Sequence, residues 1–243
     1  MSSGRGAPEA GPLLALVIPA YAAAAALPGV VERARRQEPT ARVIVVDDGS
    51  GDGTAQAAEA AGASVLRHAR NQGKGRALAT GLAAALAGGA ETMDTLDADG
   101  QHPPEAIPLL LEPIAAGTSD LVVGARTREA GGMPWGRRLT NWLSSTLLSR
   151  AVGFAVPDSQ SGFRAMRREV AAGVRPEGGR YEYETEFLLL AARHGFRISA
   201  VAVPTVYAGA PSHFRYGADT LAIAAVFLRH WRAIVLGPGA TPR

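Results

Sequence analysis

Residues 42–61 read RVIVVDDGSGDGTAQAAEAA, and this stretch decides the predicted fold. The apolar run from Arg42 to Val46 is typical of a buried strand, and the alanine-rich run from Thr54 to Ala61 is typical of a helix. Acidic residues and glycines lie between them, as in a loop that connects a strand to the next helix. The stretch therefore predicts one strand–loop–helix unit.

The same unit recurs before and after this stretch. Further strands are predicted at Leu13 to Ile18, Ala63 to Leu66, Thr92 to Leu96, Asp120 to Val123 and Arg197 to Val203, and further helices at Leu27 to Gln37, Arg76 to Ala87, Arg137 to Arg150 and Glu182 to His194. Strands that alternate with helices predict an α/β fold. We expect a single domain with a mostly parallel central sheet and helices on both faces.

The composition narrows the class of protein. Hydrophobic residues make up 47% of the 243 residues and charged residues 19%, which favours a packed globular domain over a disordered chain. The net charge is only +3 and the basic residues are dispersed, so we expect no nucleic-acid partner. A small basic excess suits phosphates or an acidic membrane surface. The absence of cysteine excludes disulfides and cysteine nucleophiles and permits a reducing compartment such as the cytoplasm.

The ends of the chain are predicted to differ from the domain between them. Residues 1–12 contain no apolar run, so we expect a flexible tail rather than a signal peptide or an anchor. Residues 13–220 are assigned to the folded domain, and residues 221–243 to a C-terminal amphipathic helix and tail.

The apolar run in this C-terminal segment is too short to cross a membrane. It is interrupted by Arg229, His230 and Arg232 and falls below the ~20 apolar residues that a span needs. We expect it to pack on the domain or to lie on a membrane surface. In the second case the arginines would meet headgroups, while Phe227 and Trp231 would enter the interface.

The sharpest functional signal is the pair Asp97 and Asp99, which follows a predicted strand. In open parallel sheets, ligands bind outside the carboxyl ends of the strands. Residues two apart on an extended segment project to the same side, so the two carboxylates can converge on one cation. Their oxygens suit Mg²⁺ or Mn²⁺. The alternative is a polar turn in which the aspartates cap backbone N–H groups.

Two more clusters at strand ends have both a functional and a structural interpretation. Asp47 and Asp48 either accept hydrogen bonds from a base or a ribose, or form a turn with the glycines that follow. Gly73-Lys74-Gly75 resembles a phosphate cradle at the start of a helix. It has the spacing of neither the P-loop nor the dinucleotide-binding motif, so neither of those sites is predicted.

The second half of the chain offers acids and an arginine. Glu182, Glu184 and Glu186 open a helix, where one of them is a candidate general base or all three simply suit a helix N-terminus. Ser161-Gly162-Phe163-Arg164 ends in a guanidinium that can grip a phosphate. The histidines lack metal-ligand spacing, and His194 is expected to end a helix.

The order of the motifs is more specific than any one of them. The chain resembles the family 2 glycosyltransferases, and within them the dolichol-phosphate mannosyltransferase and polyprenyl-phosphate glycosyltransferase branch, over roughly residues 13 to 215. The motifs that carry the resemblance are Val17-Ile18-Pro19-Ala20-Tyr21, Val45-Val46-Asp47-Asp48-Gly49-Ser50, Asn71-Gln72-Gly73-Lys74-Gly75, Leu96-Asp97-Ala98-Asp99-Gly100-Gln101-His102-Pro103-Pro104 and Ser161-Gly162-Phe163-Arg164.

The resemblance implies a GT-A fold and an inverting transfer of a mannose- or glucose-type sugar from a GDP- or UDP-sugar. It implies Mg²⁺ or Mn²⁺ held by Asp97, Asp99 and Gln101. The implied nucleotide-sugar contacts are Pro19, Tyr21, Asp47, Asp48, Lys74, Asp97 and Ala98. The implied catalytic positions are Glu184, with Glu186 as second choice, and Arg126 and Arg164 facing phosphates; His213 and Arg215 would help to close the site.

Three alternatives remain open for the function. A lipid-phosphate acceptor needs little base catalysis, because a phosphate monoester is already mostly ionised at neutral pH; such an enzyme would be cytoplasmic and peripheral at the inner face of the cell membrane. A hydroxyl acceptor needs a general base. The third alternative is a noncatalytic nucleotide-sugar-binding protein. A nucleotidyltransferase is disfavoured because no Gly-rich basic loop follows the first strand.

Two positions depart from the expected pattern. The family usually has Asn-Glu after Pro19-Ala20-Tyr21, whereas this chain has Ala22-Ala23, which removes polar groups from the first loop. Asp94 falls inside a predicted strand, where an unpaired buried carboxylate is costly. We expect Asp94 near a sheet edge or paired.

Overall fold

The computed structural model describes residues 13–126, 142, 144–150, 156–204 and 216–230. The strands are β1 (Leu14–Ala20), β2 (Arg42–Asp47), β3 (Ser64–Arg67), β4 (Thr92–Thr95), β5 (Leu121–Arg126), β6 (Arg164–Arg167) and β7 (Ile198–Val203). The helices are α1 (Leu27–Gln37), α2 (Thr54–Ala60), α3 (Lys74–Ala87), α4 (Ile107–Ala115), α5 (residues 144–150), α6 (Arg168–Gly173), α7 (Glu182–Arg193) and α8 (Tyr216–Arg229). A short 3₁₀ turn, Pro104–Ala106, leads into α4.

Within these residues the strands form one sheet in the order β3-β2-β1-β4-β6-β5-β7. Every pairing is parallel except those of β6, which runs antiparallel to both β4 and β5. The predicted α/β fold with a mostly parallel sheet is confirmed. The prediction missed β6 because its four residues carry an arginine at each end and form no apolar run. It also missed α4, whose two prolines look like helix breakers in the sequence.

Both faces of the sheet are covered, as the long apolar runs predict. Along β1, Ala15 and Val17 point into a core shared with α3, α7 and α8, whereas Leu16 and Ile18 point into a core shared with α1 and α4. Alternation of side chains between the two faces makes both sets apolar in a strand that is buried on both sides. Gly81 of α3 lies directly on Val17, where a Cβ atom would collide, so helix and strand approach closely.

Several element boundaries differ from the prediction. The segment Gly124 to Arg126 is the end of β5 rather than a loop after it, because these residues pair with β7. Helix α3 begins at Lys74 instead of Arg76. The predicted helix Arg137 to Arg150 is described only at residue 142 and over α5, and the predicted N-terminal tail lies outside the described residues.

The C-terminal helix belongs to the core of the domain. It begins at Tyr216, and Ile223, Val226 and Phe227 are buried with α7. The expectation that Phe227 enters a membrane interface is therefore wrong, and Trp231 lies outside the described residues. No helix in the described part of the chain is long and apolar enough to span a membrane.

Asp94 does not lie near a sheet edge, where we expected it from the sequence. It sits in the centre of the sheet, on β4, with Leu16 and Ala165 as its partners on either side. It is completely buried, and neither carboxylate oxygen has a hydrogen-bond partner among the described residues. Burial, and to a smaller extent the charge of Glu38, raises the pKa of Asp94 well above its ordinary value. The expectation of an edge position or a partner is wrong; the raised pKa favours the neutral carboxyl, which costs less to bury than the carboxylate.

We predict that Asp94→Val raises the free energy of unfolding, and by more as the pH rises. A group whose pKa is raised by folding leaves stability intact below its unfolded pKa and reduces it as the pH rises through the folded pKa. The gain should be larger at pH 8 than at pH 4, because ionisation adds the cost of burying a charge to the cost of burying an unpaired carboxyl. Urea denaturation followed by circular dichroism across this range measures it. A gain that is the same at pH 4 and pH 8 would contradict the assignment.

Candidate active site

The carboxyl ends of β1, β2, β4 and β5 surround a cavity of about 390 Å³, a size suited to a small-molecule ligand. The first loop, the start of α3, the Asp97 loop and the start of α7 supply its walls. The lining residues are Pro19, Ala20, Tyr21, Ala22, Ala23, Ala25, Ala26, Asp48, Asn71, Gly73, Lys74, Ala77, Asp97, Ala98, Asp99, Gln101, His102, Arg126, Gln160, Arg180 and Tyr181.

Asp48 organises the wall of the cavity next to α3. Its Oδ1 accepts the N–H of Gln72 at 2.9 Å and lies 2.7 Å from His68 Nδ1, and its Oδ2 accepts the N–H of Gly73 at 2.8 Å. The second ring nitrogen of His68 lies 3.0 Å from Thr80 Oγ1. Three donors on one carboxylate hold the loop that opens α3. Asp48 therefore both lines the cavity and shapes it.

The first loop keeps its shape without polar side chains of its own. The N–H of Ala22 donates to Ser50 Oγ at 3.0 Å, that of Ala23 to Thr54 Oγ1 at 2.9 Å, and that of Ala24 to Asp52 Oδ2 at 3.2 Å. Ala22 adopts a φ of 51°, a left-handed conformation that asparagine tolerates better than alanine. The Ala22-Ala23 departure thus leaves an ordered loop that presents an apolar wall to the cavity.

Lys74 is the central charge of the site. Its Nζ lies 2.8 Å from Asp97 Oδ1 and 2.8 Å from Glu184 Oε1, and 5.8 Å from the centre of the Tyr181 ring. Burial by itself would lower the pKa of Lys74, but the two carboxylates outweigh it and raise the pKa. Burial would likewise raise the pKa of Asp97, but Lys74 and weaker neighbours bring it below its ordinary value. Both partners are therefore charged at neutral pH.

Helix geometry separates the two acids that the sequence left as alternatives. Residues two apart on a helix lie about 200° apart around its axis, so Glu184 and Glu186 face opposite ways. Glu184 is buried and pairs with Lys74, although it does not itself line the cavity. Glu186 turns away from the cavity and accepts hydrogen bonds from residues near α8. Among the described residues, Glu184 is the one of the two acids that contacts a residue lining the cavity.

The predicted phosphate-facing arginines have different surroundings. Arg126 lines the cavity, and Asp158 holds it through contacts of 2.6 Å to Nε and 3.0 Å to Nη2. Arg164 is buried beneath the loop that follows Gln160 and donates to the carbonyls of Ser159 and Ser161. It does not line the cavity, because its guanidinium is held by these two carbonyls and lies 5.9 Å from the centre of the Phe187 ring. His213 and Arg215 lie outside the described residues.

Asp47 also points away from the cavity. Its Oδ1 accepts the N–H of Ser50 at 2.9 Å, and its Oδ2 lies 3.2 Å from Arg67 Nε. The remaining predicted ligand contacts, Pro19, Tyr21 and Ala98, do line the cavity. Asp47 thus acts as a support for the loop that carries Ser50, because alternate residues at the end of β2 point to opposite sides.

Sequence reasoning missed four polar residues of the cavity, Asn71, Gln160, Arg180 and Tyr181. Each lies in or directly beside a sequence motif: Asn71 begins the motif of residues 71–75, Gln160 precedes Ser161, and Arg180 and Tyr181 precede the acids of α7. His102 also lines the cavity, 5.4 Å from the Phe163 ring. Burial lowers the pKa of His102 to about 4, so it is neutral at physiological pH.

The oxygen donors at the end of β4 fit a hard divalent cation. Asp97, Asp99 and Gln101 all line the cavity, and about a quarter of the Asp97 side chain is exposed there. Asp99 Oδ1 accepts the N–H of Gln101 at 3.0 Å, which holds the two residues together. In the described part of the chain, no three His, Asp or Glu side chains form a metal cluster. Two carboxylates and an amide match the preference of Mg²⁺ and Mn²⁺ for few protein ligands supplemented by phosphate oxygens.

Comparison with known proteins connects this cavity to a family. The pattern described as glycosyl transferase family 2 matches residues 15–174. The chain belongs to this family. It is 33% identical over 201 residues to the undecaprenyl-phosphate mannosyltransferase of Micrococcus luteus, covering 78% of this chain and 82% of that one. It is 30% identical over 217 residues to the UDP-N-acetylglucosamine–dolichyl-phosphate N-acetylglucosaminyltransferase of Methanococcus voltae, covering 80% and 86%.

A solved structure shows the same fold. Glucosyl-3-phosphoglycerate synthase from Mycobacterium tuberculosis, in complex with Mn²⁺, UDP and phosphoglyceric acid, superimposes with a TM-score of 0.74. The sequences are 24% identical, and the match covers 90% of this chain and 78% of that one. The family 2 domain described above therefore has the GT-A fold, as the resemblance implied.

Gly162 makes the approach of Asp97 and Lys74 possible. A Cβ atom at this position would lie 2.5 Å from Asp97 Oδ1 and 2.8 Å from Lys74 Nζ. We predict that Gly162→Ala displaces this ion pair and weakens binding of UDP or GDP with Mn²⁺ by about tenfold or more, since small misplacements of site groups are costly. Isothermal titration calorimetry measures the change.

Gly51→Ala is the matched control for this substitution. No atom of the described residues lies within 4 Å of a Cβ atom at Gly51, so nucleotide affinity should stay at the wild-type value. Equal affinity in the two variants and the wild type would show that the close approach at Gly162 has no bearing on binding.

Proposed function

We propose that this chain is an inverting glycosyltransferase that moves a mannose- or glucose-type sugar from a nucleoside-diphosphate sugar to a polyprenyl phosphate. Two findings support the proposal: a cavity at the strand ends that gathers acidic, basic and apolar walls, and relatives named for transfer to undecaprenyl and dolichyl phosphate. GDP- and UDP-sugars are both candidate donors. The relative from Methanococcus voltae is named for a UDP-sugar, and the relative from Micrococcus luteus is named for mannose, which is compatible with GDP-mannose.

The nucleotide-sugar is proposed to lie across the ends of β1, β2 and β4. Pro19, Tyr21 and the alanines of the first loop offer an apolar surface to a flat base, and Asp48 stands at the neighbouring strand end. Ala98 lines the cavity beside them. Asp47 is proposed to act indirectly, because it accepts the N–H of Ser50 and so supports the loop rather than contacting the nucleotide. The diphosphate would then reach Lys74 and the Asp97 loop.

Asp97, Asp99 and Gln101 are proposed to hold Mg²⁺ or Mn²⁺. When bound, such an ion neutralises the negative charge that develops on the departing diphosphate. The protein's own contribution is to keep these donors ready. Lys74 holds Asp97 ionised and fixes its orientation, and Asp158 directs the Arg126 guanidinium at the cavity, where it can bind a phosphate of donor or acceptor.

The surroundings of Glu184 bear on which class of acceptor the protein uses. Its carboxylate is buried, contacts Lys74 and does not line the cavity. A general base must come within hydrogen-bond reach of the proton that it removes, whereas Glu184 contacts the cavity through Lys74. A phosphate monoester needs no such base, because its second pKa is ~6. This geometry supports a lipid phosphate rather than a hydroxyl acceptor, and we propose that Glu184 orients Lys74.

A noncatalytic role is the second candidate, because Ala22-Ala23 replace the usual polar pair. The N–H groups of Ala22, Ala23 and Ala24 donate hydrogen bonds to side chains of the next loop, and this argues against a noncatalytic role because the first loop keeps an ordered conformation. Arg164 is proposed to support the site from below rather than to touch a phosphate.

Glu184→Gln tests the acceptor directly. With a short-chain polyprenyl phosphate, each of several GDP- and UDP-sugars and Mn²⁺, we expect kcat to fall by less than about tenfold, because Glu184 is proposed to orient Lys74 only. Loss of a general base would instead cost about 10²–10⁴-fold.

Asp99→Ala should lose activity and metal-dependent nucleotide binding altogether. Glu105→Gln, on a surface ion pair with Arg33, is the control and should match the wild type. A fall beyond about a hundredfold in Glu184→Gln would favour a hydroxyl acceptor.

Contact with a bilayer is proposed to occur through the outer face of α8. Leu221, Ala224, Ala225 and Leu228 are exposed along one stripe of this helix, and Leu221 and Leu228 each expose more than 70% of their surface. An amphipathic helix of this kind can lie in the interface of a membrane. The lipid acceptors named for the relatives support a peripheral position at the inner face of the cell membrane.

Leu221→Glu combined with Leu228→Glu should abolish this contact. We expect the wild type to float with vesicles that contain anionic lipid, and binding by the double variant to drop about tenfold or more through loss of apolar burial. Leu109→Glu makes the same change at an exposed leucine of α4, on the opposite face of the sheet, and should float like the wild type. Equal flotation of all three proteins would rule out α8 as the contact.

A further inference from the structure

Glu186 is the second buried acid of α7, and the proposed reaction does not use it. Only about 1% of its surface is exposed. Its Oε2 accepts the N–H of Glu177 at 2.9 Å and the N–H of Gly178 at 2.8 Å. Its Oε1 accepts a hydrogen bond from Arg229 Nη1 at 3.1 Å and lies 3.3 Å from His230 Nε2. Four donors fix the position of this buried carboxylate, because the loss of any one of them would leave part of its negative charge uncompensated.

The side chains at the end of α8 are themselves held in place. Arg229 Nη1 also lies 3.0 Å from Glu177 Oε2. His230 Nδ1 lies 3.0 Å from Arg193 Nη1. Arginine can only donate, so Nδ1 accepts and the hydrogen of the ring sits on Nε2, which points at Glu186. The Glu186 carboxylate thus links the end of α8 both to α7 and to the loop before α7, beside the direct Arg229–Glu177 and Arg193–His230 contacts.

The loop that Glu186 holds is in turn bound to the start of α3. The carbonyl of Gly179 accepts the N–H of Gly75 at 2.9 Å and that of Arg76 at 3.3 Å, which are N–H groups of the first helical turn without a partner inside the helix. A Cβ atom at Gly75 would lie 2.9 Å from the carbonyl oxygen of Gly178. Backbone therefore lies directly on backbone, and a shift of the loop must move the start of α3.

Both segments that meet here carry groups of the cavity. Lys74 opens α3, and Arg180 and Tyr181 end the loop; all three line the cavity. The N–H groups of Gly179 and Arg180 donate to Glu182 Oε1 at 3.0 and 3.3 Å, which makes the end of the loop rigid. A continuous line of contacts thus runs from Arg229 through Glu186 and the loop to Lys74.

We propose that Glu186 is a positioning residue that couples helix α8 to the donor cavity, with Arg229 as its main partner. The carboxylate sets the position of the loop, and the loop sets the first turn of α3 and the place of Lys74 and Arg180. This inference rests on the proposed function for its kinetic readout, but the coupling itself is a property of the fold. Glu186 acts through other residues and touches no reacting atom.

Arg229→Met and Arg229→Lys test the coupling on the full chain. In Arg229→Met the KM for the donor should rise about tenfold, which is the change in affinity that corresponds to losing one hydrogen bond to a charged group. The kcat should stay within about threefold of the wild-type value. Arg229→Lys should recover most of the affinity, because it restores a charged donor to Glu186. Hydrogen exchange of residues 74–77 and 177–181 should speed up in the methionine variant and return towards the wild-type rate in the lysine variant. Glu186→Gln should show the same changes more strongly.

Arg197→Met is the matched control. Arg197 lies directly before the edge strand β7 and pairs with Asp120 at 2.7 Å, so its loss removes a surface ion pair without touching the proposed line of contacts. Its donor KM and its exchange in residues 74–77 should equal those of the wild type. If Arg229→Met lowers the melting temperature but leaves both of these unchanged, Glu186 is merely structural and the inference fails.

The two proposals fail in distinguishable ways. If the wild type transfers no sugar, the proposed function fails, and the dissociation constants of UDP and GDP with Mn²⁺ together with hydrogen exchange still report on the coupling. Faster exchange in residues 74–77 with Arg229→Met would support the inference in that case, and unchanged exchange would overturn it.

Discussion

Three segments that are remote in the sequence meet at the ammonium group of Lys74. Asp97 comes from the end of β4, Glu184 from the first turn of α7 and Lys74 from the first turn of α3, and both Nζ–carboxylate distances are 2.8 Å. Removing such charges from water is costly, and the cost is recovered only when the partners are well placed. Lys74 and Asp97 therefore constrain the packing of the helices around them, and Gly162 must lack a side chain for the pair to form.

Around this pair the site is held mainly by hydrogen bonds between side chains and backbone. Ser50, Asp52 and Thr54 hold the first loop, Asp48 holds the residues before α3, and Glu186 holds the loop before α7. A carboxylate that accepts two or three N–H groups restricts a loop far more than a single contact does. The cavity of this family 2 protein is therefore shaped before any ligand arrives, and such preorganisation lowers the entropic cost of binding.

Individual acidic residues show which parts of the candidate site the sequence patterns predicted and which they did not. Asp97 and Asp99 were predicted from their spacing and position after a strand, and both line the cavity. Asp47 and Arg164 belong to motifs of equal apparent quality but point elsewhere. The residues directly beside a motif, such as Arg180 and Tyr181, gave no signal of their own, because a single arginine or tyrosine outside a pattern is common on any surface. Asp94 shows the opposite error, since strand position alone does not say which strands lie at the centre of the sheet.

The sequence by itself determined the alternation of strands and helices, the packed α/β class and the strand ends at which polar residues gather, because these follow from local periodicity and from the fixed geometry of parallel sheets. Only the tertiary structure decided the insertion of β6 against β4 and β5, the burial of Asp94 in the centre of the sheet, and the different contacts of Glu184 and Glu186. Each of these depends on which distant segments become neighbours. Burial and the pairing of charges are properties of that neighbourhood, and no local pattern of residues encodes them.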